Sequence, residues 1–161
     1  MAEVGKTFDA PQVQGPQKVI YILDTDKFTL CELPDSPEYS RLHARVLELN
    51  EDDRVVTSII TYEEQTRGWL AYAAKSRATP HQVKAYRLLK KHLQTYQSFE
   101  VLDFDERAAK VFDELRAAKR KTGSSDLKIA AIAIAHNAVL LSRNLADFRG
   151  IPGLRVEDWT R

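Results

Sequence analysis

The sequence has few of the devices that declare a chemistry on their own. It holds a single cysteine, Cys31, so no disulfide can close within the chain and a reducing compartment suits it. Its histidines, His43, His81, His92 and His136, are scattered without zinc-ligand spacing, and His136 reads as the end of a core helix. Glycine is scarce, six in 161 residues, and none builds a phosphate-cradling loop, which argues against nucleotide triphosphate chemistry. No Gly-x-Ser-x-Gly elbow supports a serine hydrolase. The charges nearly cancel at a formal +1, so a nucleic-acid partner would have to be met by a local basic patch. The longest apolar stretch, around Ile129 to Leu141, carries His136 and Asn137 and is too short to span a bilayer. Residues 1–17 lack the apolar core of a signal peptide, and their Gly-, Pro- and Gln-rich composition predicts a disordered leader. The expectation is a cytoplasmic protein, without a membrane partner, whose single domain covers 18–161.

What the chain does hold is an alternation of apolar runs and helical patterns. Lys18 to Leu23 is a compact β-branched run that stops at Asp24-Thr25-Asp26, and it predicts a buried strand presenting carboxylates at its end. A short helix to Leu33, a helix over Glu38 to Leu49 and a strand at Arg54 to Ser58 follow. Ile59 to Ser76 and Pro80 to Tyr96 read as long helices, Phe99 to Leu102 as a strand, and Glu106 to Lys121 as an amphipathic helix. From Thr122 to Phe148 the chain reads turn, helix, strand, turn. The helix there is apolar nearly all round and slimmed by Ala130, Ala131, Ala133 and Ala135; the strand is Val139 to Leu141. Leu154 to Val156 suits an edge strand. Strands alternating with helices predict an α/β fold with helices flanking a mostly parallel sheet of four or five strands.

Acidic residues recur at the ends of these elements: Asp24 after the first strand, Glu64 in a first helical turn, Asp126 at a helix start and Asp147 after a strand. Each has a structural reading. Asp24 can cap the next helix, and Thr61 with Glu64 fits a capping box serving its own helix. Asp126 can complement a helix dipole, and Asn144 with Asp147 can cap a single turn. Carboxylates gathered at one sheet edge, however, repel one another unless a cation neutralises them, and hard oxygen donors suit magnesium or manganese. Such an ion can polarise a phosphodiester.

The segments VIYILDTD, SIITYEEQTRG and GSSDLKIAAIAIAHNAVLLSRNLADFRGIPGLRVEDW together resemble the PIN-domain ribonucleases, and in particular the VapC-type toxins of toxin–antitoxin pairs. The resemblance runs from about Val19 to Trp159 and implies a PIN-like three-layer fold. Position by position, Asp24 matches the family's first metal-binding acid. Ser58, Thr61, Glu64 and Gly68 match S-x-x-T-x-x-E followed by glycine, which selects Glu64 over Glu63 as the second acid. Asp126 matches the third. Many members carry an acid where this chain has Asn144, so the fourth position is shared between Asn144 and Asp147. Asp26 departs as well, since asparagine is usual there; the extra carboxylate either joins the site or faces solvent.

The resemblance implies a divalent-metal-dependent endoribonuclease, using Mg²⁺ or alternatively Mn²⁺, that leaves 5′-phosphate and 3′-hydroxyl ends. It also implies a cognate antitoxin partner, seated against the helices of residues 38–96, and a homodimer. Lys119, Arg120, Lys121, Arg143 and Arg149 are the cations nearest the acids in sequence, and they read either as a solvated helix end or as RNA contacts. Leu70, Tyr72, Leu88 and Leu89 read by default as core. Two rival readings remain at this stage. One is a PIN-like binding module without catalysis, invited by Asn144. The other is a haloacid-dehalogenase-type phosphatase using Asp24 and Asp26, although Thr29 falls one residue late for that motif.

Overall fold

The computed structural model describes residues 18–31, 33–118 and 121–161; the leader, Lys119 and Arg120 lie outside the described residues. The apolar runs form β1 (Ile20–Leu23), β2 (Arg54–Ser58), β3 (Val101–Leu102), β4 (Val139–Leu141) and β5 (Arg155–Glu157). They make one five-stranded sheet in the order β3-β2-β1-β4-β5. Every neighbouring pair is parallel, so the expected mostly parallel sheet is wholly parallel among the described residues. The helices between are α1 (Thr25–Leu30), α2 (Pro37–Leu47), α3 (Ile59–Lys75), α4 (Thr79–Gln97), α5 (Glu106–Ala117), α6 (Ser124–Ala135) and α7 (Leu145–Phe148). Several boundaries move inward from the sequence reading: β1 begins at Ile20, α1 ends at Leu30, α2 ends at Leu47, β3 begins at Val101, and α5 ends at Ala117.

The strands read as continuous apolar runs because both faces of the sheet are covered. Ile22, Val56 and Leu140 enter a core shared with Ala108, Phe112 and Leu115 of α5 and with Ile129 to Ala133 of α6. Their neighbours Leu23, Val139 and Leu141 enter a second core with Phe28 of α1, Leu42 of α2, Tyr96 of α4 and Trp159. This is the three-layer arrangement. Ala130, Ala131 and Ala133 are wholly buried, and their small side chains keep α6 close to its neighbours. α3 and α4 are joined by the buried His92, hydrogen-bonded through Nε2 to the Thr66 hydroxyl at 2.8 Å and stacked on Tyr62.

The strand order places the chemistry. After β1 the chain builds β2 and β3 on one side, then returns to lay β4 on the other, so the sheet's order reverses between β1 and β4. Such a switch point opens a crevice outside the carboxyl ends of the two strands, where α/β proteins hold ligands. Leu23 pairs with Leu141 at the last step of that ladder. The next residue continues it, Asp24 N–H donating to the Leu141 carbonyl at 3.0 Å.

The segment after β5 is fastened to α1. Lys27, wholly buried, donates from Nζ to Asp158 Oδ1 and to the Thr160 hydroxyl, the latter at 2.8 Å. The Lys27 partnership holds the Asp158 carboxyl down at about 2 despite its burial. Removing one member of a buried pair strands the other charge, whereas replacing both with apolar groups is often neutral. Lys27→Met should therefore cost about 3–5 kcal/mol in urea unfolding. The double change Lys27→Met with Asp158→Leu should recover most of it; an unrecovered loss would show that the contact matters as more than an ion pair.

Candidate active site

Asp24 sits one residue past β1 and caps α1. Its Oδ1 accepts from the Thr25 N–H at 2.8 Å, and its Oδ2 accepts from the buried Ser142 hydroxyl, just past β4, at 2.7 Å. The side chain is only 7% exposed. Burial pushes its carboxyl up to about 6 against the pull of those two hydrogen bonds, and the negative charges of Asp26 and Asp126 push the same way.

Glu64 does not serve its own helix. Ser58 is the N-cap of α3, with Oγ accepting from the Thr61 N–H at 3.2 Å, so Thr61 is buried inside the first turn. That removes the capping box and moves Glu64 into the second turn. From there its Oε2 accepts a hydrogen bond from the Thr25 hydroxyl, across to α1. Thr25 thus bonds two acids, Asp24 through its amide and Glu64 through its hydroxyl.

Asp126 is the third residue of α6 and half-buried. Burial raises its pKa first, followed by the charges of Glu64 and Asp147. Asp147, exposed on α7, accepts from the Asn144 side-chain amide, while Thr122 Oγ1 donates to the Asp147 carbonyl at 3.0 Å. Of the two residues sharing the fourth position, Asp147 is therefore the one whose charge reaches Asp126. Asn144 turns its amide to Asp147 and donates its backbone N–H to the Ser142 hydroxyl at 3.0 Å.

The extra acid, Asp26, pairs with a cation, and its charge is among those that raise Asp24. Its Oδ2 accepts from Arg143 twice, from the backbone N–H at 3.1 Å and from Nε at 2.9 Å. The pair holds Arg143 beside the acids with its side chain half exposed. Lys121 and Arg149 are exposed, and Lys119 and Arg120 lie outside the described residues. Sequence reasoning missed Thr25, Ser142 and the Asp26–Arg143 pair. The available signal for Ser142 was its place directly after β4, level with Asp24 after β1.

The donor chemistry fits a hard divalent cation, because the acids are oxygen donors and two of them, Asp24 and Asp126, are raised by burial first and then by neighbouring carboxylates. Among the described residues, no three His, Cys, Asp or Glu side chains are grouped tightly enough to ligate one ion as they stand. Glu64 and Asp147 each give an oxygen to a protein donor, Thr25 and Asn144. Holding one ion through three of the acids would take a change of rotamer at such side chains.

Without metal, Asp24 titrates at about 6 in the folded chain against 3.8 when unperturbed. Between those values the folded chain binds more protons than the unfolded one, so stability falls as pH rises from about 4 to about 6. Asp24→Asn should then be more stable than the parent at pH 8 in EDTA, by up to about 3 kcal/mol, with little difference at pH 4. Urea melts at the two pH values decide it: an equal effect at both would mean that the charge is not the cause.

Comparison with known proteins agrees with this fold. The family model described as PIN domain matches residues 37–154. Ribonuclease VapC1 of Haemophilus influenzae (strain R2866) is 31% identical over 143 residues, spanning 89% of this chain and 100% of that protein. The tRNA(fMet)-specific endonuclease VapC of Salmonella typhimurium is 29% identical over 147 residues, 86% of this chain and 97% of its own. Among solved structures, VapBC-1 from nontypeable Haemophilus influenzae superposes with a TM-score of 0.67 at 30% identity, covering 89% of this chain and 100% of that one. By its matched model, its full-length relatives and its all-parallel sheet, the chain belongs to the PIN-domain family, within the VapC ribonucleases.

Proposed function

We propose that this chain is an endoribonuclease dependent on a divalent cation, Mg²⁺ with Mn²⁺ as the alternative, and the toxin of a toxin–antitoxin pair. The observation that supports the reading is the electrostatic coupling of acids outside the carboxyl ends of the strands. Burial first, and then the charges of Asp26 and Asp126 on Asp24 and of Glu64 and Asp147 on Asp126, raise both carboxyls. Asp24, Glu64 and Asp126 would hold the ion, and Asn144 or Asp147 would complete the set. A bound divalent ion supplies Lewis acidity toward a phosphodiester and makes water a better nucleophile. The protein's own part is to position. Thr25 and Ser142 fix the two oxygens of Asp24, and Asp26 keeps Arg143 beside the acids, where a phosphate would arrive. Lys121 and Arg149 are further exposed cations for the RNA backbone.

The Salmonella relative is named for tRNA(fMet), so tRNA is the first substrate class to try. We assign the second-copy contact to a different surface from the antitoxin contact, which goes to the helices of residues 38–96. There Ile59, Leu70, Tyr86 and Leu93 are 36%, 53%, 64% and 50% exposed, rather than core as the pattern of Leu70 and Tyr72 suggested. Among the described residues no helix is long and apolar enough to cross a membrane. The phosphatase reading loses its acid/base group, because Asp26 is engaged with Arg143.

Cleavage of tRNA and unstructured RNA should require Mg²⁺ or Mn²⁺, stop in EDTA and vanish in Asp126→Ala with an unchanged circular dichroism spectrum; activity retained in that variant would reject the site. Metal should raise the melting temperature of the parent but not of Asp24→Asn. A parent that shows no metal response would favour the non-catalytic binding module. Arg143→Ala should weaken RNA binding and reduce the slope of log affinity against log salt by about 1. An unchanged slope would remove Arg143 from the phosphate contacts.

A further inference from the structure

The seam between α1 and α3 continues beyond the acids. Thr25 on α1 bonds Glu64 on α3, and one turn along α1 the Thr29 hydroxyl accepts from Gln65 Nε2 at 3.0 Å. Past that rung the seam opens into a slot of about 280 Å³ lined by Thr29, Gln65, Gly68, Trp69 and Tyr72. Its floor is bare because Gly68 has no side chain: a Cβ built there would meet no atom within 4 Å. Its aromatic wall is Trp69 and Tyr72, set edge to face with ring centroids 6.2 Å apart and planes at 82°. Tyr72 remains 39% exposed. At 1.5 Å rise per residue, Gly68 lies about 6 Å and Tyr72 about 12 Å along α3 from Glu64.

We propose that this slot is a nucleobase subsite, in which an unpaired base next to the scissile phosphate stacks on Trp69 and Tyr72. The identity of the polymer rests on the ribonuclease reading above. The slot lies one rung along the seam from Glu64. Its two aromatic rings match the π-face of a base, while Gln65, held in place by Thr29 and by the Tyr96 hydroxyl, has a second amide N–H for the base edge. Single-stranded RNA is bound in this way, by cations along the backbone and aromatics under the bases. Asp26-held Arg143, Lys121 and Arg149 supply the first element, and the slot supplies the second. The subsite predicts that bases on one side of the cut are read only where they are unpaired, which directs cleavage to loops and unstructured segments.

The test uses the full chain carrying Asp126→Asn, so that RNA is bound with Mg²⁺ but not cut. The probes are a short oligoadenylate and an abasic ribose-phosphate chain of equal charge. The sequence has two tryptophans, and Trp159 is buried at 4% exposure, so a change in emission on binding reports Trp69. Oligoadenylate should quench that emission and the abasic chain should not. Trp69→Ala or Tyr72→Ala should weaken oligoadenylate binding roughly 5- to 100-fold and leave the abasic chain unaffected, while Trp69→Phe retains most of the affinity. Gly68→Ala should give a smaller loss of the same kind while holding or raising the melting temperature, since alanine suits a helix interior better.

Equal binding of the two probes with no change in emission would overturn the subsite. So would slot variants that lose only antitoxin binding, which would give the slot to the protein partner. Cleavage by the chain with Asp126 intact is scored separately. Cutting that is indifferent to the Trp69 and Tyr72 changes removes the subsite and leaves the ribonuclease. Base-dependent quenching without any cutting supports the subsite and removes the ribonuclease.

Discussion

The parallel pairing of β1 with β4 is the constraint on which the site depends. These strands lie far apart in the chain, yet the ladder that ends at Leu23 and Leu141 sets Asp24 and Ser142 side by side at the same edge. Because both strands are buried on both faces, the pairing cannot slip without moving Leu23, Leu140 and Leu141 out of their cores. The register that places the aspartate is therefore fixed by apolar packing and does not depend on the polar groups themselves. The same edge is the point where strand order reverses, so the crevice and its first acid arise from one topological fact.

Packing then forces together groups that repel. Asp24 is buried with two hydrogen-bond donors yet titrates at about 6, because two donors do not offset burial beside Asp26 and Asp126. The protein manages this charge unevenly. Asp26 is matched by Arg143, and Asp158 by Lys27 and Arg161. Glu64 and Asp147 receive neutral donors from Thr25 and Asn144. The acids with a cation partner lie beside the cluster, while those without one form it. That division separates acids whose charge is matched within the fold from acids that receive only neutral donors.

The sequence made the sheet, its parallel character and the places of Asp24 and Asp126 legible, because long apolar runs ending abruptly in acids have few other folds. It left Glu64 ambiguous for a specific reason. Ser58-x-x-Thr61 and Thr61-x-x-Glu64 are overlapping capping patterns, and only the strand end at Ser58 decides between them. The partner of Asp26 lies 117 residues away, beyond any local pattern. The exposure of Leu70 and Tyr72 was hidden because apolar residues at helical spacing look the same on a core face and on a face awaiting a partner.

The seam between α1 and α3 ties these levels together. Thr25, Thr29, Glu64 and Gln65 form two successive cross-helix rungs, and the Tyr96 hydroxyl from α4 braces the second through Gln65 at 2.8 Å. One end of the seam meets the acids and the other meets the aromatic slot, so the same packing that seats Glu64 near Asp126 also fixes the direction of α3 away from it. A flexible strand laid along that line would meet charge first and then apolar surface. Both are presented by a helix whose first turn is buried through Ile60 and Thr61. The spacing between the Glu64 and Tyr72 positions is then a property of helix geometry, set by the rise per residue along α3 and independent of loop conformation.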